Sequence, residues 1–182
     1  MVVFAQQLPA LIGVIVGALA SYLVSSAGER ARWRRSQAVR WDESRMRVYA
    51  EYGGSVKRWA YLSCRIAAAR GFDHSAAHLT PEEGLPLLAA AEDDRGARWE
   101  SMLLLGSPET VAAARDWHQA VHRLDWYARG RLTDAEQWLP AIREMEKYRD
   151  RYYECARNDL GVGGGSLPPP AWPPSWVPET GT

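Results

Sequence analysis

The uncharged, apolar run from Leu8 to Ser26 constrains this chain more than any other feature. No side chain between Met1 and Gly28 carries a charge. As a helix, the 19 residues of the run extend roughly 28 Å, close to the ~30 Å hydrocarbon core of a bilayer. A helix also satisfies its own backbone polar groups, as lipid requires. The run therefore predicts one transmembrane helix over residues 8–26.

The charges that flank this run predict its orientation. The α-amino group is the only positive charge before it, whereas several arginines follow it directly: Arg30, Arg32, Arg34, Arg35 and Arg40. An excess of arginine beside one end of a span marks the cytoplasmic side. We expect a single-pass protein of the cell membrane, with residues 1–7 outside and the rest in the cytoplasm. The alternative, a cleaved secretory signal, requires a positive segment before the run, which is missing.

Two membrane-related sites are predicted around the span. The membrane-interface residues are Arg30, Arg32, Trp33, Arg34 and Arg35. They contact the lipid bilayer, either attracting anionic headgroups or serving only as a topology signal. Within the span, Gly13, Gly17 and Ser21 recur every four residues and share one helix face, where small residues favour close helix–helix association. This face predicts a homo-oligomer, although glycine is also common in membrane helices without that role.

The balanced total charge hides two opposite segments. Residues 28–70 contain 11 basic and four acidic side chains, whereas residues 71–160 contain 11 basic and 17 acidic ones. A basic segment beside the membrane followed by an acidic domain argues against nucleic acid as a partner.

After the span the apolar periodicity is that of amphipathic helices. The first helix covers residues 29–70, and Gly53-Gly54 marks either a kink or a tolerated packing site. Capping signals at Thr80–Glu83, Ser107-Pro108 and Thr133–Glu136 begin three more helices, with Pro86 and Pro140 leaving later starts open. The predicted core positions are Ala38, Trp41, Arg45, Val48, Tyr52, Ser55, Trp59, Leu62, Ile66, Ala69, Leu88, Trp99, Met102, Leu103, Ala114, Trp117, Val121, Leu124, Trp138, Ile142, Met145, Tyr148, Tyr152 and Cys155.

These lengths predict an all-α protein. The first helix is too long to match the other three. Its surplus forms a basic juxtamembrane stalk over residues 27–44, which either continues the membrane helix or lies along the membrane surface. Residues 45–160 then form a cytoplasmic antiparallel four-helix bundle, because the helix connections are short. Residues 161–182 contain six of the 11 prolines and predict a disordered Gly/Pro-rich tail. Its segment Pro170–Pro173 is a PxxP, which is either a ligand for an aromatic groove or a chance match.

Histidines provide the only suggestion of a chemical site. His118 and His122 are spaced i, i+4 with Asp125 three residues further on, a spacing that can place two imidazoles on one metal. The glutamate of an HExxH motif is missing, and His74 and His78 repeat the spacing in a loop. We therefore favour ordinary helical histidines and predict no catalytic residues, no metal and no cofactor.

Three segments carry a family resemblance: the Arg/Trp stretch GERARWRR, the helix junction LLLGSPETVAAA and the helix end CARNDLG. Together with the uncharged N-terminal span they resemble uncharacterised single-pass helical membrane proteins of GC-rich actinobacteria. The resemblance covers most of residues 1–161, implies a membrane-anchored helical domain and brings no known activity.

The resulting expectation is a non-enzymatic interaction or scaffold protein, tethered to the membrane and binding an unknown protein partner. One alternative is a bundle that holds a metal or small ligand near His118 and His122, as an enzyme or a binding protein. A second alternative is a regulatory subunit that associates through its transmembrane helix. A cavity lined by convergent polar groups would favour the ligand, and a continuous apolar interior would favour the scaffold.

Overall fold

A computed structural model of the chain describes residues 41–72 and 77–162. The chain divides into two compact units, Met1–Glu43 and Ser44–Thr182, and the helical bundle lies in the second. Every regular element in the described residues is helical, so the all-α prediction is confirmed.

Four α-helices and one short 3₁₀ helix make up this part of the chain. Helix α1 covers residues 41–69. Helix α2 is Pro81–Leu105, α3 is Pro108–Ala128 and α4 is Trp138–Asp159, with a 3₁₀ turn at Ala135–Gln137 directly before α4.

The starts of α2 and α3 follow the capping signals in the sequence. The Thr80 side chain accepts a hydrogen bond from the Glu83 backbone N–H at 3.4 Å, and α2 continues through Pro86. A later start at Pro86 is therefore wrong. The Ser107 hydroxyl accepts from the Thr110 backbone N–H at 3.1 Å, so α3 begins almost where α2 ends.

The start of α4 differs from the expected capping box at Thr133. The Asp134 carboxylate accepts from the Glu136 backbone N–H at 2.9 Å and caps the 3₁₀ turn instead. Helix α4 then begins at Trp138, which places Pro140 in its first turn, where a missing N–H costs nothing. Of the two expectations for Pro140, the late helix start is confirmed and the kink is wrong.

The contacts between helices fix their directions. Tyr52 of α1 donates to the Ala114 carbonyl of α3, and Arg70 at the other end of α1 donates to the Ala128 carbonyl. Helices α1 and α3 therefore run the same way. In contrast, Arg98 late in α2 pairs with Glu51 early in α1, so α2 runs in the opposite direction.

Helix α4 also opposes α1 and α3. Near its end, the Tyr152 hydroxyl donates to the Tyr49 carbonyl at 2.7 Å, whereas Trp138 at its beginning packs edge to face against Tyr127 late in α3. The described helices thus form an antiparallel bundle.

Large aromatic side chains fill the interior of the bundle. The most buried large side chains are Trp59, Trp117, Tyr52, Tyr127, Tyr152, Ile66, Leu88, Met102 and Leu124. Gly53 lies in an unbroken α1 and backs onto Tyr152 and Tyr153 of α4, so packing rather than a kink explains it. Three expected core positions are wrong: Trp41 and Leu103 are 55% and 45% exposed, and Ala69 is also exposed.

Within residues 41–72 and 77–162, none of the helices is long and apolar enough to cross a membrane. The predicted span over residues 8–26, most of the stalk and residues 163–182 of the tail lie outside the described residues.

Candidate functional site

A cluster of aromatic and basic side chains lies where the middle of α2 meets α1 and α3. We call it the polar layer. It consists of Tyr52, Trp59, Arg95, Trp99, His118 and His122. Residues at i and i+4 or i+7 share a helix face, so α1 contributes Tyr52 and Trp59, and α3 contributes both histidines.

One half of the polar layer surrounds His118. The Tyr52 hydroxyl lies 3.0 Å from His118 Nδ1 and 3.1 Å from the Ala114 carbonyl oxygen. The Trp99 ring meets the imidazole edge to face, with 5.0 Å between ring centroids. Burial, and then the charges of Arg95, His122 and Arg115, lower the pKa of His118 to about 4. The imidazole is therefore neutral near pH 7.

The other half of the polar layer is built on Trp59. Its indole ring packs edge to face against His122, with 4.6 Å between ring centroids. The Arg95 guanidinium carbon lies 5.6 Å from the same ring, a cation–π contact. Arg95 Nε and His122 Nδ1 are buried and have no hydrogen-bond partner among the described residues.

A buried carboxylate borders the polar layer. Asp125 of α3 is 2% exposed and accepts from Trp59 Nε1 at 3.3 Å and from Arg129 Nε at 2.6 Å. Arg129 Nη2 also donates to Glu92 of α2 at 3.1 Å. The Asp125 carboxylate is therefore paired with Arg129 inside the bundle.

A second polar cluster, which we call the Asp159 network, lies at the end of the bundle where α3 begins. Asp159 Oδ2 accepts from the Tyr49 hydroxyl at 2.6 Å, the Thr110 hydroxyl at 2.8 Å and the Ser107 backbone N–H at 3.3 Å. Burial raises the pKa of Asp159, but the hydrogen bonds from Tyr49, Ser107 and Thr110 outweigh it and lower the pKa overall. The carboxylate also faces the positive end of the α3 dipole. This network ties α1, α3 and α4 together.

The two histidines do not converge on one metal position. His118 is held by Tyr52 and Trp99, whereas His122 packs on Trp59. In the described residues no three His, Cys, Asp or Glu side chains are grouped so that they could hold a metal ion. His78 is exposed before α2.

The remaining predicted site residues lie outside the described part of the chain. They are His74, the membrane-interface residues Arg30, Arg32, Trp33, Arg34 and Arg35, and the association face Gly13, Gly17 and Ser21. Their roles stay predictions.

An open depression of about 180 Å³ lies between α3 and α4. It is lined by Asp116, Gln119, Ala120, Arg123, Glu144 and Tyr148. Arg123 and Glu144 form an ion pair in it at 3.4 Å.

Sequence reasoning missed Arg95 as a member of the site. The signal was present, because Leu88, Arg95 and Met102 are spaced by seven residues and so share a helix face. Leu88 and Met102 are both fully buried, which places Arg95 at a core-facing position between them.

No family model, curated protein or solved structure matches this chain. The resemblance to actinobacterial membrane proteins therefore stays a prediction, and the site is interpreted from its geometry alone.

Proposed function

We propose that this chain is a single-pass, membrane-tethered interaction protein with its helical bundle in the cytoplasm. The observation that carries the proposal is the uncharged run over residues 8–26, followed directly by the arginines of GERARWRR. An apolar run of this length is typical of a membrane-spanning helix. An excess of arginine directly after such a helix favours a cytoplasmic location for the residues that follow it.

The described helices meet at one end of the bundle where the Tyr49 hydroxyl of α1 donates to Asp159 at the end of α4. In this proposal, the Pro-rich segment over residues 161–182 provides reach toward partners.

Exposed apolar side chains provide contact area for a protein partner. Leu103 and Leu104 are adjacent near the end of α2 and are 45% and 81% exposed. Both lie outside the interior, which is filled by Trp59, Trp117 and other large side chains. A well-filled interior and exposed leucines favour a binding surface over an enclosed substrate cavity.

Protease protection of a C-terminal tag tests the orientation. We expect the tag on the full-length protein to be protected in spheroplasts and digested in inverted membrane vesicles. Replacing Arg30, Arg32, Arg34 and Arg35 by Gln removes the charge bias and should give a mixed orientation. The matched control replaces four exposed arginines of the bundle, Arg58, Arg131, Arg143 and Arg151, and should keep the tag protected.

The same membranes test the interaction. A photo-crosslinking residue at Leu104 should give discrete adducts, whereas one at the exposed Ala112 of α3 should not. A tag that is digestible in spheroplasts, or a protein found in the soluble fraction, would refute the membrane tether. Equal crosslinking at both positions would refute the proposed surface.

A further inference from the structure

Two arginines on the α2–α3 side of the bundle have no carboxylate partner among the described residues. Arg95 contacts Trp59 through its guanidinium, and the Arg115 guanidinium carbon lies 5.9 Å from the Trp99 ring. In contrast, Arg98 and Arg129 each pair with two carboxylates. The carboxylates of Glu51, Glu92, Asp94 and Asp125 are thus paired with Arg98 and Arg129, and none of them pairs with Arg95 or Arg115.

Arg95 also has an unsatisfied donor. Its Nε–H is buried without an acceptor among the described residues, and Nδ1 of His122, a donor or an acceptor according to the tautomer, is buried there without a partner. Both side chains contact the same indole ring, that of Trp59. A buried N–H without an acceptor costs free energy. Since the Arg95 side chain as a whole is only partly buried, a group from solvent can approach its guanidinium.

We propose that Arg95, Arg115 and His122 form a binding site for a small oxyanion, a phosphoryl or carboxylate group, on the α2–α3 face. A guanidinium binds such groups with paired, charge-assisted hydrogen bonds. The Arg95 and Arg115 guanidinium groups lie against the indole rings of Trp59 and Trp99, and apolar surroundings strengthen charge-assisted hydrogen bonds.

The state of His118 provides a reporter for this site. The charges of Arg95 and Arg115, after burial, contribute to its low pKa of about 4. An anion bound beside them cancels part of that positive potential and favours the protonated imidazole. Binding should therefore raise the pKa of His118, an effect that a purely structural Arg95 would not produce. This site does not depend on the membrane tether, so either proposal can fail alone.

The experiment uses full-length protein in detergent with inorganic phosphate as the probe. Imidazole NMR signals give the pKa of His118, and thermal unfolding gives the midpoint temperature. We expect phosphate to raise both, and sodium chloride at equal ionic strength to raise neither. A second arm with acetate distinguishes a carboxylate site from a phosphoryl site.

Arg95→Gln should weaken phosphate binding at least about tenfold, since a charge-assisted pair is lost. Arg98→Gln is the matched control, one turn further along α2, and should bind like the original protein. If Arg95→Gln does not fold, the exposed Arg115→Gln replaces it, with a smaller expected loss. The proposal is overturned if neither phosphate nor acetate moves the His118 titration, or if Arg95→Gln and Arg98→Gln lose binding equally.

Discussion

Helices α2 and α3 belong to one bundle, but they are held in it in different ways. In α3, ten of 21 residues are buried, including Trp117, Val121 and Leu124. In the 25 residues of α2, only Gly84, Leu88, Ala91 and Met102 are buried. Helix α3 therefore forms the centre of the core, whereas α2 covers it with a few apolar contacts.

Charged contacts accompany the few apolar ones along α2. Between the buried Ala91 and Met102, the helix contacts its neighbours through the Trp99 ring and through three charged side chains, Glu92, Arg95 and Arg98. Segments with few buried apolar contacts open at lower free energy than the core. Helix α2 is thus the element of the bundle best suited to respond to a ligand, and the polar layer lies beneath its middle.

The largest expected effect comes from Arg129, which joins α3 to α2. Arg129→Gln leaves the carboxylate of Asp125 buried with the Trp59 indole as its remaining donor. We expect a loss of about 2–4 kcal/mol in the free energy of unfolding, since a buried charge loses its counterion. Urea denaturation of the full-length protein, followed by circular dichroism, measures it.

The control for this prediction is Arg98→Gln. Arg98 bridges α2 and α1 through Glu51 and also pairs with Asp94, but these side chains are largely exposed. Arg98→Gln should lower the free energy of unfolding by less than about 1 kcal/mol, and this decrease should be smaller still in high salt. Equal decreases in the free energy of unfolding for Arg129→Gln and Arg98→Gln would contradict this prediction. They would mean that the buried ion pair at Asp125 stabilises α2 no more than the surface ion pairs of Arg98 do.

The Asp159 network tests how α3 is tied to its neighbours. Asp159→Ala removes the shared acceptor of Tyr49, Ser107 and Thr110 and a favourable charge at the α3 N-terminus. We expect a loss of about 2 kcal/mol. The exposed neighbour Asn158→Ala should cost less than about 0.5 kcal/mol. A cost for Asp159→Ala no larger than that for Asn158→Ala would show that the network contributes little.

The same residue predicts a pH dependence. The folded-state pKa of Asp159 lies below its unfolded value because hydrogen bonds from Tyr49, Ser107 and Thr110 outweigh burial. Its contribution to stability is therefore complete above the unfolded pKa, about 4, and is lost as the pH falls through the folded pKa. Denaturation curves between about pH 6 and pH 2 should show a weaker acid destabilisation in Asp159→Asn than in the original protein.

Local signals in the sequence were enough to locate the starts of α2 and α3. Thr80 and Ser107 cap α2 and α3 through contacts that span three residues, so no knowledge of the fold is needed to predict them. The apolar stripe of α3 was also correct, because Ala114, Trp117, Val121 and Leu124 are all buried. Burial at these positions follows directly from helical periodicity.

Contacts distant along the chain were not predictable in the same way. The GSPET and CARNDLG segments were noted separately, but only the fold brings Asp159 to Ser107 and Thr110. Likewise, Arg95 becomes part of a site because Trp59 of α1 lies beneath it. Leu103 was misplaced because α2 has little amphipathic contrast, and helical spacing alone did not distinguish its core face.

The smallest expected effects come from substitutions of two glycines of α2. These substitutions compare the packing at the start of the helix with the packing in its polar middle. A Cβ at Gly84 would lie 2.5 Å from Ile66 Cγ1, inside the fully buried core, so Gly84→Ala should cost about 1–2 kcal/mol after its gain in helix propensity. A Cβ at Gly96 meets nothing within 4 Å, so Gly96→Ala should stabilise the protein by about 1 kcal/mol. Thermal unfolding of both variants measures these changes in stability. If Gly84→Ala also stabilises, α2 can shift away from Ile66, and its apolar end is no more firmly packed than its middle.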